Sequence, residues 1–434
     1  MHVDQKAMME MQADQTTFRS YLYFWSGQLV SLLGSSVSQF VIIWWITLET
    51  ESVLYLSLAS FLGFAPIVLL SPFAGVLADR WSRKALIALT DFIQALVTVA
   101  LIFLFWWGGV SIWLVLAILT FKGVMQAFHS PATSAITPLM VPKEKLSRMN
   151  GLNYLLTGAV SLVGPVVAAV LLEVWAIHQI LWIDAVTFMV AVVPLLLIVI
   201  PSVRLKQEKS SFKEDFAEGL AFVRGTRGFL TVVIVATALN FLLAPLSTLF
   251  PYFVKFEHFG GATHLAFVSA FFQGGILAGG LLMSMRSGFK DRMAVITVSI
   301  YVIFSGYVFV ALSPTGLFWF MALAAIFMSF CLPIANVLLQ TITQTIVPLK
   351  MQGRVSSVMG SLASAATPVA MIIAGPVAEL TGTVNLFLIC AGLGILTLTV
   401  SWFFTDFRHV ERFNVTLDET KTASISVVEL EESR

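Results

Sequence analysis

The sequence predicts an all-α integral membrane protein, with twelve transmembrane helices arranged as two homologous six-helix halves. Composition points there first: of 434 residues, 58% are hydrophobic, 12% aromatic and only 11% charged. A soluble globular chain carries roughly 45–50% apolar and about 25% charged residues, so this chain has too little charge to cover a water-facing surface of its length. The second observation is a series of continuous apolar runs. Each is long enough, at about 19 residues or more, to cross roughly 30 Å of hydrocarbon as a helix. Barrel strands would instead give segments of about ten residues with alternating character. The third observation is an internal repeat of the same motifs in both halves of the chain.

The runs fall at about 21–47, 54–77, 85–107, 112–138, 151–173 and 179–200 in the first half. Those of the second half fall at about 229–253, 265–285, 293–313, 317–344, 355–379 and 384–404. Twelve is an even number, so both termini lie on one side. The distribution of Lys and Arg decides which side. With cytoplasmic termini, 23 of them lie in cytoplasmic segments and one, Lys255, lies in an outer loop, while Lys122 sits inside span 4. A multi-pass protein of the cell membrane with both termini cytoplasmic is expected. Residues 1–20 are polar and the first apolar run far exceeds a signal h-region, so no cleavable leader is expected. Cys331 and Cys390 both lie inside apolar runs, which excludes a disulfide framework. A formal net charge of +1 gives no reason to expect a nucleic-acid partner.

The organisation that follows is a cytoplasmic N-terminal segment (1–20), an N-terminal six-helix bundle (21–200), a cytoplasmic linker (201–228), a C-terminal six-helix bundle (229–405) and a cytoplasmic, disordered tail (406–434). The linker contains an amphipathic piece (Phe212, Phe216, Leu220, Phe222, Val223) expected to lie on the membrane. The repeat links the halves. Val141-Pro142 with Arg148 follows span 4, and Val347-Pro348 with Arg354 follows span 10, a shift of 206. Gly164-Pro165-Val166 in span 5 matches Gly375-Pro376-Val377 in span 11, a shift of 211, and Gly75 matches Gly280, a shift of 205. Three matches at nearly one offset indicate a transporter whose site lies between the halves.

After span 2 the chain reads Gly75-Val76-Leu77-Ala78-Asp79-Arg80-Trp81-Ser82-Arg83-Lys84. This stretch resembles the loop signature G-x-L-a-D-r-x-G-r-k of the major facilitator superfamily, with Ser82 in place of the usual glycine, and the resemblance extends over nearly the whole chain. It implies a conformational latch built from Gly75, Asp79, Arg80, Arg83 and Lys84, with Asp79 facing the N-terminus of span 11. Gly164-Pro165 is similar to the antiporter signature g-x-x-x-G-P-x-x-G-G of drug/proton antiporters, although Val160, Ala168 and Ala169 replace its other glycines. It implies an antiporter hinge; the bland alternative is an ordinary helix kink. Ala127–Ala132 and Ile183–Phe188 resemble the branch that includes macrolide-efflux-like proteins and siderophore exporters.

A helix that faces water at mid-membrane should carry a polar stripe at helical spacing. Span 1 has Gln28, Ser31, Ser35 and Gln39; span 4 has Lys122, Gln126, His129 and Thr133; span 7 has Thr237, Asn240 and Ser247; span 10 has Asn336, Gln340 and Gln344. These are also the four helices that line the cavity in the resembled family. The competing reading is that such groups bond helices to one another. A lysine near mid-membrane needs a partner, and Asp184 on span 6 is its expected counterion, in either a structural or a mechanistic pair. Asp91, nearer the cytoplasmic face, reads as snorkelling or paired with loop arginines. Spans 1, 4, 7 and 10 contain no acid, so a neutral or anionic amphiphile is the expected substrate unless Asp184 points inward.

The expected function is secondary active export of a hydrophobic or amphiphilic small molecule of the drug, macrolide or siderophore class, by proton antiport and alternating access. Asp184 and His129 are the candidate proton-coupling groups, with Asp184 preferred. No G-x-x-x-x-G-K-[ST] loop is present in the chain, which argues against an ATP-driven pump. No clustered nucleophile or His/Asp/Glu set suggests an enzyme, a metal site or a cofactor. The partners expected are the substrate, protons and lipid, with the chain a monomer. A flippase for lysophospholipid or other lipids on the same fold is the alternative.

Overall fold

Long apolar stretches leave no water to satisfy backbone groups, so each closes its hydrogen bonds internally as a helix. The computed structural model describes residues 15–200, 212–286, 288–348 and 351–411, apart from the side chains of 15, 16, 72, 75–80, 212 and 213. Among the described residues there is no strand and there are twelve helices long and apolar enough to span a bilayer. The first six are α1 (Gln15–Thr50), α2 (Val53–Arg80), α3 (Arg83–Trp107), α4 (Ile112–Ser134), α5 (Lys143–Leu172) and α6 (Ile177–Leu197). The second six are α7 (Phe229–Tyr252), α8 (Ala262–Met285), α9 (Arg292–Ala311), α10 (Phe318–Ile346), α11 (Gln352–Thr381) and α12 (Thr383–Phe404).

Local signals set several ends. Ser82 N-caps α3 by accepting from the Ala85 amide, and Gly108 ends that helix in the left-handed conformation, φ 73°. Asp291 N-caps α9 in the same way through the Ala294 amide at 3.0 Å. Lys84 Nζ donates to the carbonyls of Leu196 (2.8 Å) and Ile198 (2.6 Å), occupying the negative C-terminal end of α6. Helix α4 stops at Ser134, short of the expected 138. A separate one-turn helix, Thr137–Met140, follows with Pro138 in its first turn. Helix α5 starts eight residues earlier than its apolar run, because the polar first turns stand on other protein. Lys145 Nζ sits 4.5 Å over the Phe18 ring, and Met149 is buried.

The halves meet mainly along two helix pairs, α2 with α11 and α5 with α8, with smaller contacts of α7 on α2 and α1. Small residues allow the close approach. A Cβ on Gly375 of α11 would lie 2.8 Å from Ser57 Oγ of α2, and one on Gly280 of α8 would lie 3.2 Å from the Tyr154 ring of α5. At the end of the bundle away from the termini, Trp44, Ile46 and Thr47 of α1, Leu249 and Pro251 of α7, and Phe253 and Val254 of the turn that follows it are buried. Phe253, Phe387 and Tyr307 close that end with ring contacts of 5.2 and 5.5 Å. At the terminal end, Gln126 and Ser130 of α4 and Asn336, Gln340 and Gln344 of α10 are exposed. The bundle is therefore open on the side of the termini and sealed on the other.

The linker helix, Phe212–Gly225, expected to lie on the membrane, docks on the start of α11. Val223 is fully buried, and Gly219 lies so close that a Cβ would sit 2.8 Å from the Arg354 carbonyl oxygen. Arg354 reaches back to Asp215 (Nε–Oδ1 2.6 Å) and to Glu218. Of the apolar stripe that suggested a membrane surface, Val223 is buried, and Phe216, Leu220 and Phe222 are half-buried against the same protein core. Residues 1–14, 201–211 and 412–434 lie outside the described residues.

Candidate transport site

Among the described residues, the bundle holds at least two cavities. The first, of about 550 Å³, lies between the halves toward the sealed end. Helices α1, α5, α7, α8, α9, α10 and α11 line it. Its polar groups are all neutral and include Ser36, Gln39, Asn240, Ser247 and Gln273; apolar side chains such as Phe40, Phe250, Phe272 and Met328 make up much of the rest. Pro165 belongs to its wall, while Gly164 lets α5 press on α1: a Cβ there would fall 2.2 Å from Ser36 Oγ. The Gly164-Pro165 pair thus packs two helices together beside the cavity. This cavity can hold an apolar body with a few hydrogen-bonding groups.

The second cavity, of about 630 Å³, belongs to the N-terminal half and opens at the terminal end. Gln28, Ser31, Ser35, Gln126 and His129 from the sequence stripes all line it, together with Trp25, Gln94, Asn153 and Asp91. Asp91 is 1% exposed. Its Oδ2 accepts from Gln28 Nε2 at 3.3 Å, and its Oδ1 lies 3.0 Å from His129 Nε2. That imidazole contact is short but lacks the alignment of a hydrogen bond, so the buried Nε2 has no hydrogen-bond partner. Trp25 Nε1 donates to Asn153 Oδ1 at 3.0 Å, tying α1 to α5 across the cavity.

Behind this cavity is a buried ion pair. Lys122 Nζ donates to Asp184 Oδ2 at 2.9 Å, with the carboxylate fully buried and the lysine side chain 17% exposed. Thr98 of α3 donates to the same oxygen at 3.0 Å, and Ser35 of α1 donates to Oδ1 at 2.9 Å. Four helices, α1, α3, α4 and α6, therefore converge on one carboxylate. Such a charge would be very costly in hydrocarbon without these donors. Ser35 has a double position, since it also lines the second cavity.

The sequence candidates separate accordingly. Gln39 and Asn240 line the first cavity, and Gln28, Ser31, Ser35, Gln126 and His129 the second. Lys122 turns to Asp184, and Asn336 and Gln340 are exposed but line neither of these cavities. Arg83 donates to the Ala135 carbonyl at 3.4 Å, at the break after α4. The side chains of Asp79 and Arg80, and Gly75, lie outside the described residues, so the latch geometry stays an expectation. Asp91 is the group that sequence reasoning placed wrongly. It lines the cavity from α3, a helix left out of the stripe search. A stripe was there to find: Asp91, Gln94 and Thr98 recur at helical spacing, and all three are buried. Its presence also overturns the expectation of a cavity without an acid.

The twelve spans in two halves agree with comparison with known proteins. The family model of the Major Facilitator Superfamily matches residues 24–364. The chain belongs to this superfamily. It is 30% identical over 390 residues to macrolide efflux protein A of Streptococcus pyogenes, covering 89% of this chain and 96% of that protein. It is 26% identical over 396 residues to the multidrug efflux pump Tap of Mycolicibacterium fortuitum, covering 87% and 94%. These relatives place the chain in the drug-efflux branch of the superfamily. Among solved structures, a POT family transporter in complex with 5-aminolevulinic acid aligns with a TM-score of 0.71 at 12% identity, covering 90% of this chain and 96% of that one. This last similarity concerns the fold alone. The chain is a multi-pass membrane transporter, as its superfamily and its relatives require.

Proposed function

We propose that this transporter exports amphiphilic drugs, macrolides among them, from the cytoplasm by proton antiport, with both termini cytoplasmic. The open end of the bundle then faces the cytoplasm, where an exporter must load. The efflux relatives support the direction, and the neutral, largely apolar first cavity suits the body of such a molecule. A lipid flippase of the same fold gains no support from these relatives.

The observation that carries the coupling is the Ser35 bridge. Ser35 Oγ lines the open cavity and donates to Asp184 at 2.9 Å, so one hydroxyl separates the buried acid from cavity water. A proton passed through that hydroxyl neutralises Asp184, and Lys122 loses its counterion and is free to reorient. Breaking a buried pair is a large local change, suited to switching α4 and α6 against α1 and α3. A proton crossing about 100 mV releases roughly 2.3 kcal/mol, and each pH unit adds about 1.4 kcal/mol. Together these sustain a substrate gradient of a few hundredfold without ATP. The test is uptake of a radiolabelled macrolide into inverted proteoliposomes under an imposed pH gradient. Asp184→Asn should lose gradient-driven accumulation and keep downhill equilibration. If Asp184→Asn still responds fully to the gradient while His129→Gln does not, the histidine is the proton carrier and the assignment to Asp184 fails.

A further inference from the structure

At the sealed end, one buried titratable group has no part in the export scheme above: His258, in the turn between α7 and α8. We infer that His258 is a positioning residue that clips shut the outer roof of the first cavity, and that a proton arriving from outside opens the clip. This rests on the export reading only for which side of the membrane the sealed end faces.

The turn is built to send one side chain inward. Helix α7 ends at Tyr252, and the chain continues through one π-helical turn, Phe253–Glu257. The Gly260 amide then donates back to the Val254 carbonyl at 2.8 Å. Phe259 sits at φ 57°, in the left-handed region, where a residue other than glycine stays only if its surroundings impose it. That reversal leaves Phe259 81% exposed and turns His258 inward, where it is 4% exposed. A Cβ on Gly260 would lie 2.9 Å from Phe318 Cζ, so the turn lies close on the start of α10.

Once buried, the imidazole makes two contacts that both end on the cavity wall. Its ring lies 4.6 Å from that of Phe253, which stacks at 6.5 Å on Phe250. Its Nε2 lies 3.2 Å from Ser313 Oγ, and that hydroxyl donates its one proton to the Val310 carbonyl at 2.7 Å. Nε2 must then be the donor, which leaves Nδ1 as a lone pair in the neutral ring. Phe250 and Val310 both line the first cavity. The neutral ring therefore ties the outer end of α7 to the outer end of α9 above that cavity. Phe253 extends the seal to Phe387 of α12 at 5.2 Å.

An imidazolium fits this pocket poorly. The added proton would sit on Nδ1, which is buried with no hydrogen-bond partner. Burial pushes the group below its ordinary value of 6.5, against a smaller opposing pull from the Pro314 carbonyl. The turn carries Lys255 and Glu257, and α8 carries His264, whose Nδ1 accepts from the Gly261 amide at 3.2 Å. Among the described residues none of these three pairs with His258. The α9–α10 connection, α10 and α12 hold no charged residue at all. Opening returns the ring to water and to its ordinary value. The sealed form is thus fully favoured above about pH 6.5 and loses ground as pH falls through the lower value. The loss is about tenfold in the equilibrium for each unit separating the two values. An exporter releases its substrate on this side, so the acid that drives antiport also opens the exit.

The test reads how easily the first cavity is reached from outside. Ser247, which lines that cavity, is changed by Ser247→Cys in a full-length chain carrying Cys331→Ser and Cys390→Ser. A membrane-impermeant maleimide is added outside right-side-out vesicles between about pH 5 and 8, the range in which a histidine titrates. Each rate is divided by that of the same thiol in the unfolded chain at the same pH, which removes the thiol's own titration. The corrected rate should rise at least about fivefold toward acid, on a one-proton curve with its midpoint below about 6.5. His258→Gln keeps a donor for Ser313 and cannot titrate, so it should label slowly at every pH. His258→Ala loses the clip and should label rapidly at every pH. A flat profile in the chain that keeps His258, a steeper curve, or a midpoint near about 4, where carboxylates titrate, overturns the inference even if neither histidine variant folds. So does a pH response that survives in His258→Gln. An N-terminal tag cleaved by protease from outside the vesicles would instead overturn the orientation assumed for export and leave the clip standing.

Discussion

The Lys122–Asp184 pair sets the most demanding test of this structure. Lys122→Met removes the ammonium and leaves Asp184 fully buried, with only the hydroxyls of Ser35 and Thr98 as donors. Breaking a buried pair from one side costs about 3–5 kcal/mol. Two remaining hydrogen bonds to the charge soften that loss, so a destabilisation of about 3 kcal/mol is expected. Asp184→Leu should cost about as much, because it strands the lysine. In the double variant neither charge is left unpaired, and a buried pair replaced by apolar groups is often close to neutral. The two single costs, about 6 kcal/mol together, should therefore fail to add by most of that sum, well above the roughly 0.5–3 kcal/mol usual for residues in contact. Denaturant unfolding of the four proteins in detergent, followed by tryptophan fluorescence, measures that coupling. The double variant should fold and bind substrate but show no gradient-driven export. If the single costs add to within about 0.5 kcal/mol, as for independent sites, the pair does not hold the four helices together and the reasoning fails.

Three further outcomes are expected. Gly164→Val should destabilise the N-terminal half by about 1–3 kcal/mol, the cost of overpacking, because its Cβ would meet Ser36 Oγ at 2.2 Å; Ser36→Ala should recover part of the loss in thermal unfolding. Asp79→Asn should abolish export and leave equilibrium substrate binding nearly intact, since the resemblance makes Asp79 a latch and not a ligand; binding lost in step with transport would refute this. His258, at the sealed end, is 4% exposed, and burial holds its pKa below the ordinary value of 6.5. The unfolded chain then takes up the proton first, so stability is complete above about pH 6.5 and is lost as pH falls through the lower folded value. His258→Gln should flatten that part of a melting-temperature profile between about pH 5 and 8.

What the sequence determined by itself was everything governed by hydrocarbon thickness and by local chemistry. An apolar run of fixed length must be a helix, so all twelve spans lie where the runs do, and the serine and aspartate before α3 and α9 cap them. The repeat offsets are also local facts, and they suffice for two halves. The stripe on span 1 is legible from spacing alone, and its residues line the two cavities. Tertiary structure decided which stripe meets which. Lys122 stands in the span 4 stripe with Gln126 and His129, yet it turns away from the cavity to Asp184, which is a property of how α4 and α6 pack. Asp91 became a cavity acid only because α3 brings it beside Gln28 of α1 and His129 of α4. The linker helix shows the same limit, since its apolar stripe fits a membrane or a protein equally well. Arg354, far along the chain, determines that it is protein. Periodicity records that a face must be covered, and only the packed fold supplies the atoms that cover it.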